Sequence, residues 1–499
     1  MNIYKTIFLQ LSILFFCSPL FSKTVIITKF GAKGDGVTIN TKAIQKAIDA
    51  CTQEGGTVII PAGSFLSGTL YLKSNVTLFL EKGATIFGST KPEDYPANSP
   101  TSVVCGDTHS GNGKSKANRA LIYAESQQNI AIAGEGTING NGGDPVYQKG
   151  DNGSDRPKLL FFISCNNVAV KDVFLTNSAF WMQDYLGCDG VIIHGIRVLN
   201  HSNWNQDGID IDSKNVVISD CIIDSDDDGI CLKSYIDDKV VENVTITNCV
   251  ISTNCNAIKF GTPGVGGFKN ITISNCSVNA SKFSNFRNWT KRYKNITADP
   301  SMVSGISLEC ADGGAVENIM INNITMKGTQ TPIFVKISNR QSLNKDQAKK
   351  GSMRNVMISN IIAEVHSGRT SSITAYPGTY VENVKLHHMI FDVVSTATRE
   401  GADQPVKENE GGYPSTHMLG EVSPANGFYV RHVKGITIED VQINLFGNDT
   451  RYPIVFDDTE YGTVKGVSVK NKEGKIRWIN ADDAQIIKSN EIYFENNRR

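Results

Sequence analysis

Eight aspartates stand between Asp207 and Asp228, in the stretch NQDGIDIDSKNVVISDCIIDSDDDGI. Crowded carboxylates repel one another and resist burial, so the crowding needs a use. Three uses are open: holding a cation, facing solvent, or acid–base work on a substrate. Asp224, Asp226, Asp228 and Gly229 match the D-x-D-x-D-G opening of a calcium loop. The twelfth position of that loop is Tyr235 instead of a bidentate Glu, and its flanks read as strands. The match is read as chance, with no metal or cofactor expected and a looser calcium site as the alternative. Asp220 and Asp224 fit a solvated face. Asp207, Asp227 and Asp228 do not. When the apolar pairs Ile209/Ile211, Ile230/Leu232 and Ile258/Phe260 are aligned, Asp207, Asp228 and Asn256 fall in one column at strand starts, with Asp227 alongside. Gly208 and Gly229 follow the two acids, which is expected to leave the backbone open to a close ligand. A repulsive column that recurs nowhere else in the chain points to catalysis by carboxyl groups, one of them holding a proton near neutral pH.

Other residues near these acids have two readings each. Trp181 and Trp204 flank them in sequence and offer a face for a sugar ring, or pack as wall residues. His201 is close enough in sequence to orient a hydroxyl, but reads more simply as a solvated turn histidine. Lys259 is in outward phase and either supplies a cation to a ligand or pairs with a neighbouring acid. Lys233 carries the same two readings, with Asp212 as its expected neighbour.

The elements that position these residues are repeated. NNVAVKDVFLTNS at Asn166, DGVIIHGIRVLNH at Asp189, KNVVISDCIIDSD at Lys214, ENVTITNCVISTN at Glu242 and KNITISNCSVNAS at Lys269 are near-copies, and four looser ones follow from Glu317 to Lys434. Spacings from Val168 through Val191, Val216, Val244 and Ile271 are 23, 25, 28 and 27 residues. Apolar and polar residues alternate with period two and Val and Ile abound, which excludes helical repeats of similar length. Short strands at one coil per repeat describe an all-β parallel β-helix, with Asn at the turns. A β-sandwich would not repeat its strands as near-copies. TINTKAIQKAIDACTQEGG reads as a capping helix, with Asn40 or Thr41 at its start, Ala43, Ile44, Ala47, Ile48 and Cys51 on one face, and Gly55 and Gly56 at its end. Lys91–Lys116, Lys282–Ser304 and Thr398–Asn426 break the repeat and are expected to wall a cleft.

The first 22 residues join a short basic start to the apolar run TIFLQLSILFFC and a small Ser22, the pattern of a secretory leader. The mature chain is expected to begin near Lys23 as one domain to Arg499, exported to the periplasm or outside the cell. Phe16 before Cys17 is too bulky for a lipoprotein box. No stretch reads as a membrane span. The net charge of −1, spread along the chain, gives no footprint for nucleic acid. Ten of the eleven cysteines remain after the leader, without zinc-site spacing; Cys221, Cys249 and Cys276 share one repeat position and read as a column of small apolar side chains rather than disulfides.

On these motifs the chain resembles glycoside hydrolase family 28, the polygalacturonase family, across nearly its mature length. FGAKGDGVTINTKAIQKAI (Phe30–Ile48) and the run Gly55–Ser89 resemble the family's N-terminal region. NSAFWMQ (Asn177–Gln183), NQDGIDI (Asn205–Ile211) against N-T-D, and SDDDGICLKS (Ser225–Ser234) against D-D are more specific. The resemblance implies a right-handed parallel β-helix and hydrolysis with inversion. It also implies Asp227 as general acid, Asp207 and Asp228 as the bases that activate water, and Asn205 as a substrate-binding residue. Paired carboxyls about 6.5–9.5 Å apart on opposite sides of a glycosidic bond suffice for such chemistry. STNCNAIKFGT (Ser252–Thr262) occupies the place of G-H-G, with Asn256 for the histidine, and GISLECADGG (Gly305–Gly314) that of R-I-K, with Ser307 and Glu309 for the basic pair. Asn339 stands where a tyrosine is expected. Since the basic pair and tyrosine grip a galacturonate carboxylate in the family, Glu309 would repel that group. The expected substrate is a pectic or related polysaccharide or oligosaccharide, bound by a monomer. A β-helix lyase would need calcium-binding acids and a base beside a uronate carboxylate; a non-catalytic glycan-binding β-helix would not need three acids in one column.

Overall fold

The computed structural model describes residues 23–52, 54–98, 118–148, 156–283, 288–340 and 349–495. The expected leader with Cys17, and most of Lys91–Lys116, lie outside these residues.

Alternating Val and Ile make each repeat a half-buried strand, and a strand with one apolar edge buries it by stacking on the next coil. Three strand faces result, each pairing in parallel from coil to coil. On one, Val191, Val216, Val244, Ile271, Ile319, Val356, Val384 and Ile436 are successive partners. On the second, Ile209, Ile230, Ile258, Ile306 and Ile333 are in register. On the third, Val198, Ile223, Ile251, Val278, Met326, Ala363 and Phe391 are. A continuous buried apolar cluster runs between the faces from Val25 to Ala484. The parallel β-helix read from the repeat is the observed architecture.

Asparagine makes the corners. Asn243, Asn270, Asn318, Asn355 and Asn383 all take positive φ of 52–59°, a left-handed conformation that Asn tolerates better than most residues. Their amides form a ladder: Asn318 Nδ2 donates to Asn270 Oδ1 at 3.0 Å, Asn355 to Asn318 at 3.0 Å and Asn383 to Asn355 at 2.7 Å. Cys221, Cys249 and Cys276 are buried and free, as the column reading expects.

The helix Thr41–Cys51 buries Ile44, Ala47, Ile48 and Cys51, while Ala43 is half-buried. Asn40 holds the N-cap position without capping, because its side chain binds Lys33 N and Thr38 O at 2.7 Å each. The helix packs on the strands Lys23–Ile26 and Gly56–Ile60. No described helix is long and apolar enough to cross a membrane.

The inserted segments Lys282–Ser304 and Thr398–Asn426 meet each other. The His417 ring lies 5.2 Å from Trp289 and 4.0 Å from Tyr293. Trp289 Nε1 also donates to the carbonyl of Asn254, which fixes this pair of segments to the coil that follows Asp228.

Candidate active site

The second strand face starts with the acids. Met182 N donates to Asp207 O at 3.0 Å, Gly208 N to Asp228 O at 2.9 Å and Gly229 N to Asn256 O at 2.8 Å. Asn256 pairs in turn with Ser304. The column Asp207–Asp228–Asn256 is thus set by backbone pairing. The glycines after the acids have a different cause from the one expected. A Cβ on Gly208 would fall 2.5 Å from Gly229 O and 2.7 Å from Ile223 Cγ2, and one on Gly229 2.5 Å from Ile251 Cγ2 and 2.7 Å from Ala257 O. These glycines admit the next coil and the core, and the close approach is made by the chain itself.

Asp228 is buried and fully engaged. Its Oδ2 lies 3.0 Å from Lys259 Nζ, and its Oδ1 accepts from Asn256 Nδ2 at 2.7 Å. Asn256 Oδ1 accepts from Ser304 Oγ at 2.7 Å, which fixes the amide's orientation. Burial pushes the Asp228 carboxyl up, but the ammoniums of Lys259 and Lys233 and the Asn256 amide outweigh it and hold it at about 2. Its own N–H donates to Asp227 Oδ1 at 3.0 Å. Asp227 is the less buried of the adjacent pair.

Asp207 has a different environment. Lys233 Nζ lies 3.2 Å from Asp207 Oδ2 and 3.0 Å from Asp210 Oδ1. One ammonium therefore serves two buried carboxyls. Burial and Asp210 push Asp207 well above the ordinary carboxylate range, against the pull of Lys233. Burial likewise pushes Asp210 up to about 7. The Asp207–Asp210 pair retains a proton near neutral pH while Asp228 is ionised, so the site holds an acid form and a base form side by side.

Lys233 follows Leu232 as Asp212 follows its partner Ile211, but the two side chains do not pair. The flexible Lys233 stem reaches the two acids one coil back, while Asp212 Oδ2 accepts from Tyr235 N at 2.7 Å and burial pushes Asp212 up to about 8. Trp181 is buried, stacked on Phe180 at 5.1 Å, with Lys233 Nζ 4.5 Å from its ring and Lys158 Nζ 4.8 Å. It supports the lysines that steady the acids. Trp204 is half-buried with the Arg292 guanidinium 5.5 Å from its ring. Asn205 turns the chain at φ 55° and accepts from Arg156 Nη2 at 2.8 Å. His201 is buried, not solvated: Nε2 lies 2.7 Å from Asp224 Oδ1 and 3.2 Å from Ser281 Oγ, and Phe283 covers the ring at 5.3 Å. The segment after Ser281 encloses it.

Lys259 pairs with its neighbouring acid. Its Nζ also lies 3.0 Å from the hydroxyl of Tyr413, delivered by the segment Thr398–Asn426. Tyr413 has no signal in the sequence, since 154 residues separate it from Lys259. Ser307 Oγ donates to Glu309 Oε1 at 2.7 Å, and both side chains are buried. Asn339 N donates to Glu410 O at 2.7 Å, so it tethers the Tyr413 segment through its backbone.

Two groupings bear on metals. Carboxylate oxygens of Asp227 and Asp228 and Cys255 Sγ lie within 4.8 Å of one another. Asp224 and Asp228, from the calcium-loop match, are drawn instead to His201 and to Lys259.

Over 120 residues the chain is 42% identical to an exo-poly-alpha-D-galacturonosidase of Dickeya chrysanthemi, covering 24% of this chain and only 20% of that protein. Over 321 residues it is 29% identical to an endo-polygalacturonase of Pectobacterium carotovorum subsp. carotovorum, covering 61% of this chain and 73% of that one. Its fold is like that of an exopolygalacturonase from Thermotoga maritima, with a TM-score of 0.60 at 21% identity over 74% of this chain and 87% of the other. A profile of glycosyl hydrolases family 28 matches residues 51–404, from the end of the first helix to the segment that carries Tyr413, and the chain belongs to that family.

Proposed function

We propose that residues 23–499 form one exported, monomeric glycosidase domain on a right-handed coil, which hydrolyses glycosidic bonds of a pectic or related plant polysaccharide with inversion. Asp227 gives its proton to the glycosidic oxygen as the bond to the anomeric carbon breaks. A water on the opposite face of the sugar loses a proton to Asp228, Asp207 holding that water in place by a hydrogen bond, and its oxygen bonds to the anomeric carbon. The observation that carries the reading is an ionised base held next to Asp227: Lys259 and Asn256 keep Asp228 charged, and the Asp228 N–H donates to Asp227 Oδ1 at 3.0 Å. A hydrolase of this kind needs an ionised base to take the proton of the attacking water.

The test is the anomer first released. NMR of a fresh digest should show the inverted anomer, and Asp227→Asn should lower kcat by about 10²–10⁴-fold with the fold intact. A retained anomer, a 4,5-unsaturated product, or near-normal turnover by folded Asp227→Asn would sink the assignment.

A further inference from the structure

Beyond the acids, two coils further along, Glu309 is 2% exposed. Its Oε1 accepts from Ser307, while its Oε2 is buried with no hydrogen-bond partner among the described residues. A buried carboxyl oxygen without a donor is a costly thing to keep, which points to a use. Coils stack at roughly 4.8 Å, so two of them place Glu309 about 10 Å along the stack from Asp228. That is the reach of a neighbouring subsite on the same face, away from the bond that is cleaved.

The lysines nearby are already committed. Lys259 is matched by Asp228 and touches Tyr413. Lys336, in register with Glu309 on the next coil, sends its ammonium to the carbonyls of Ala375 at 2.9 Å and Glu408 at 3.3 Å. Tyr413 keeps 52% of its surface exposed, with the Arg340 guanidinium 5.0 Å from its ring. An exposed aromatic ring beside a carboxyl group suits a sugar with an apolar face and free hydroxyls. A second carboxylate brought here would meet Glu309 with both lysines engaged, leaving the Arg340 guanidinium beside the Tyr413 ring as the rival partner.

Resting on the hydrolase reading above, we infer that Glu309 and Tyr413 form a subsite for a neutral, hydroxyl-rich sugar, and that Glu309 is the residue that turns away a uronate there. Burial, against the pull of Lys259 and Ser307, pushes Glu309 up to about 7. Asp228, Lys233 and Tyr413 are the other titratable groups that face it. Its charge, and with it the rejection of a uronate, should grow as pH rises through 7.

The test uses oligogalacturonide as the free acid and as its methyl ester, which removes the carboxylate charge at the cost of one added methyl group, a difference that Glu309→Gln leaves in place. Calorimetry on folded Asp227→Asn protein reads binding apart from turnover. The ester should bind at least about tenfold more tightly at pH 8, and less than that at pH 5. Adding Glu309→Gln, which keeps the size and the Ser307 contact, should bring the two ligands within about threefold at both pH values. Equal or tighter binding of the free acid, no binding of either ligand, or a preference that survives Glu309→Gln would overturn the inference; Arg340 would then be the cation that receives the carboxylate. The hydrolase reading fails separately, if wild-type protein releases no new reducing ends from pectic fragments.

Discussion

Lys259→Gln separates a base held ionised by its neighbours from an acid that is merely close to them. The Lys259–Asp228 pair is 3.0 Å apart with side chains 4% exposed. At an effective dielectric of about 20 such a pair is worth about 5 kcal/mol, and at about 80 about 1.4 kcal/mol. The burial of both partners places it toward the larger figure. One pH unit corresponds to about 1.4 kcal/mol, so removing the ammonium should raise Asp228 from about 2 by roughly three to four units. Lys233 and the Asn256 amide remain, and glutamine can still donate to Oδ2, so no buried oxygen is orphaned.

The measurement is kcat/KM from pH 4 to 8, expressed as variant over wild type. The ratio cancels any limb set by Asp207, which both proteins share. Asp228 stays ionised across this range in wild type. In the variant it takes up a proton below about pH 6, so the ratio should fall toward about tenfold per unit as pH drops. A ratio that is flat down to pH 4, in a variant that unfolds at the wild-type temperature, would refute the assignment of Asp228 as the ionised base.

Two further outcomes test the scaffold. Asn355, at φ 58° within the ladder, should tolerate Gly better than Ala: Ala adds about 1–2 kcal/mol of left-handed strain that Gly avoids, and urea unfolding that ranks Ala as the milder change would remove this account of the corner. Stability should also fall as pH rises from about 4 to 8, because Asp210, Asp212 and Glu309 are raised to about 7, 8 and 7 and stay protonated in the folded chain after the unfolded chain has released those protons. The slope is up to about 1.4 kcal/mol per pH unit for each titrating group, and a Tm that climbs toward pH 8 would contradict it.

The coil could be read from the sequence because period-two alternation is local: each Val or Ile in the repeats reports its own face, and the repeat length fixes which coil it meets. The column Asp207–Asp228–Asn256 followed by the same arithmetic. Register does not report what lies over a strand. Asp210 and Asp212 occupy outward phases on either side of Ile211, a pattern that elsewhere in the chain marks a solvated edge, yet both are buried. His201 reads as a turn residue until Ser281 and Phe283 close over it. Tyr413 reaches Lys259 from a segment whose own sequence carries no period. Gly208 and Gly229 show the limit from the other side, since a small residue beside an acid suggests room for a ligand until the neighbouring coil is seen to fill it.

What these buried positions share is an account of why the acids can be crowded at all. Asp228 is matched by Lys259 one coil on, and Asp207 and Asp210 divide Lys233. Asp184 takes Lys158 one coil back. Three lysines thus face four carboxyls in this cluster, and the imbalance is met by a retained proton, not by an exposed charge. A long, flexible lysine suits that task, because its ammonium can reach a carboxyl on a neighbouring coil while its stem lies along the sheet. The same arithmetic places the shortage of positive charge at Asp207–Asp210 and a full match at Asp228. The electrostatic asymmetry of the site therefore comes from which coil each lysine springs from, and a coil-by-coil solenoid can alter it by changing one residue at a time.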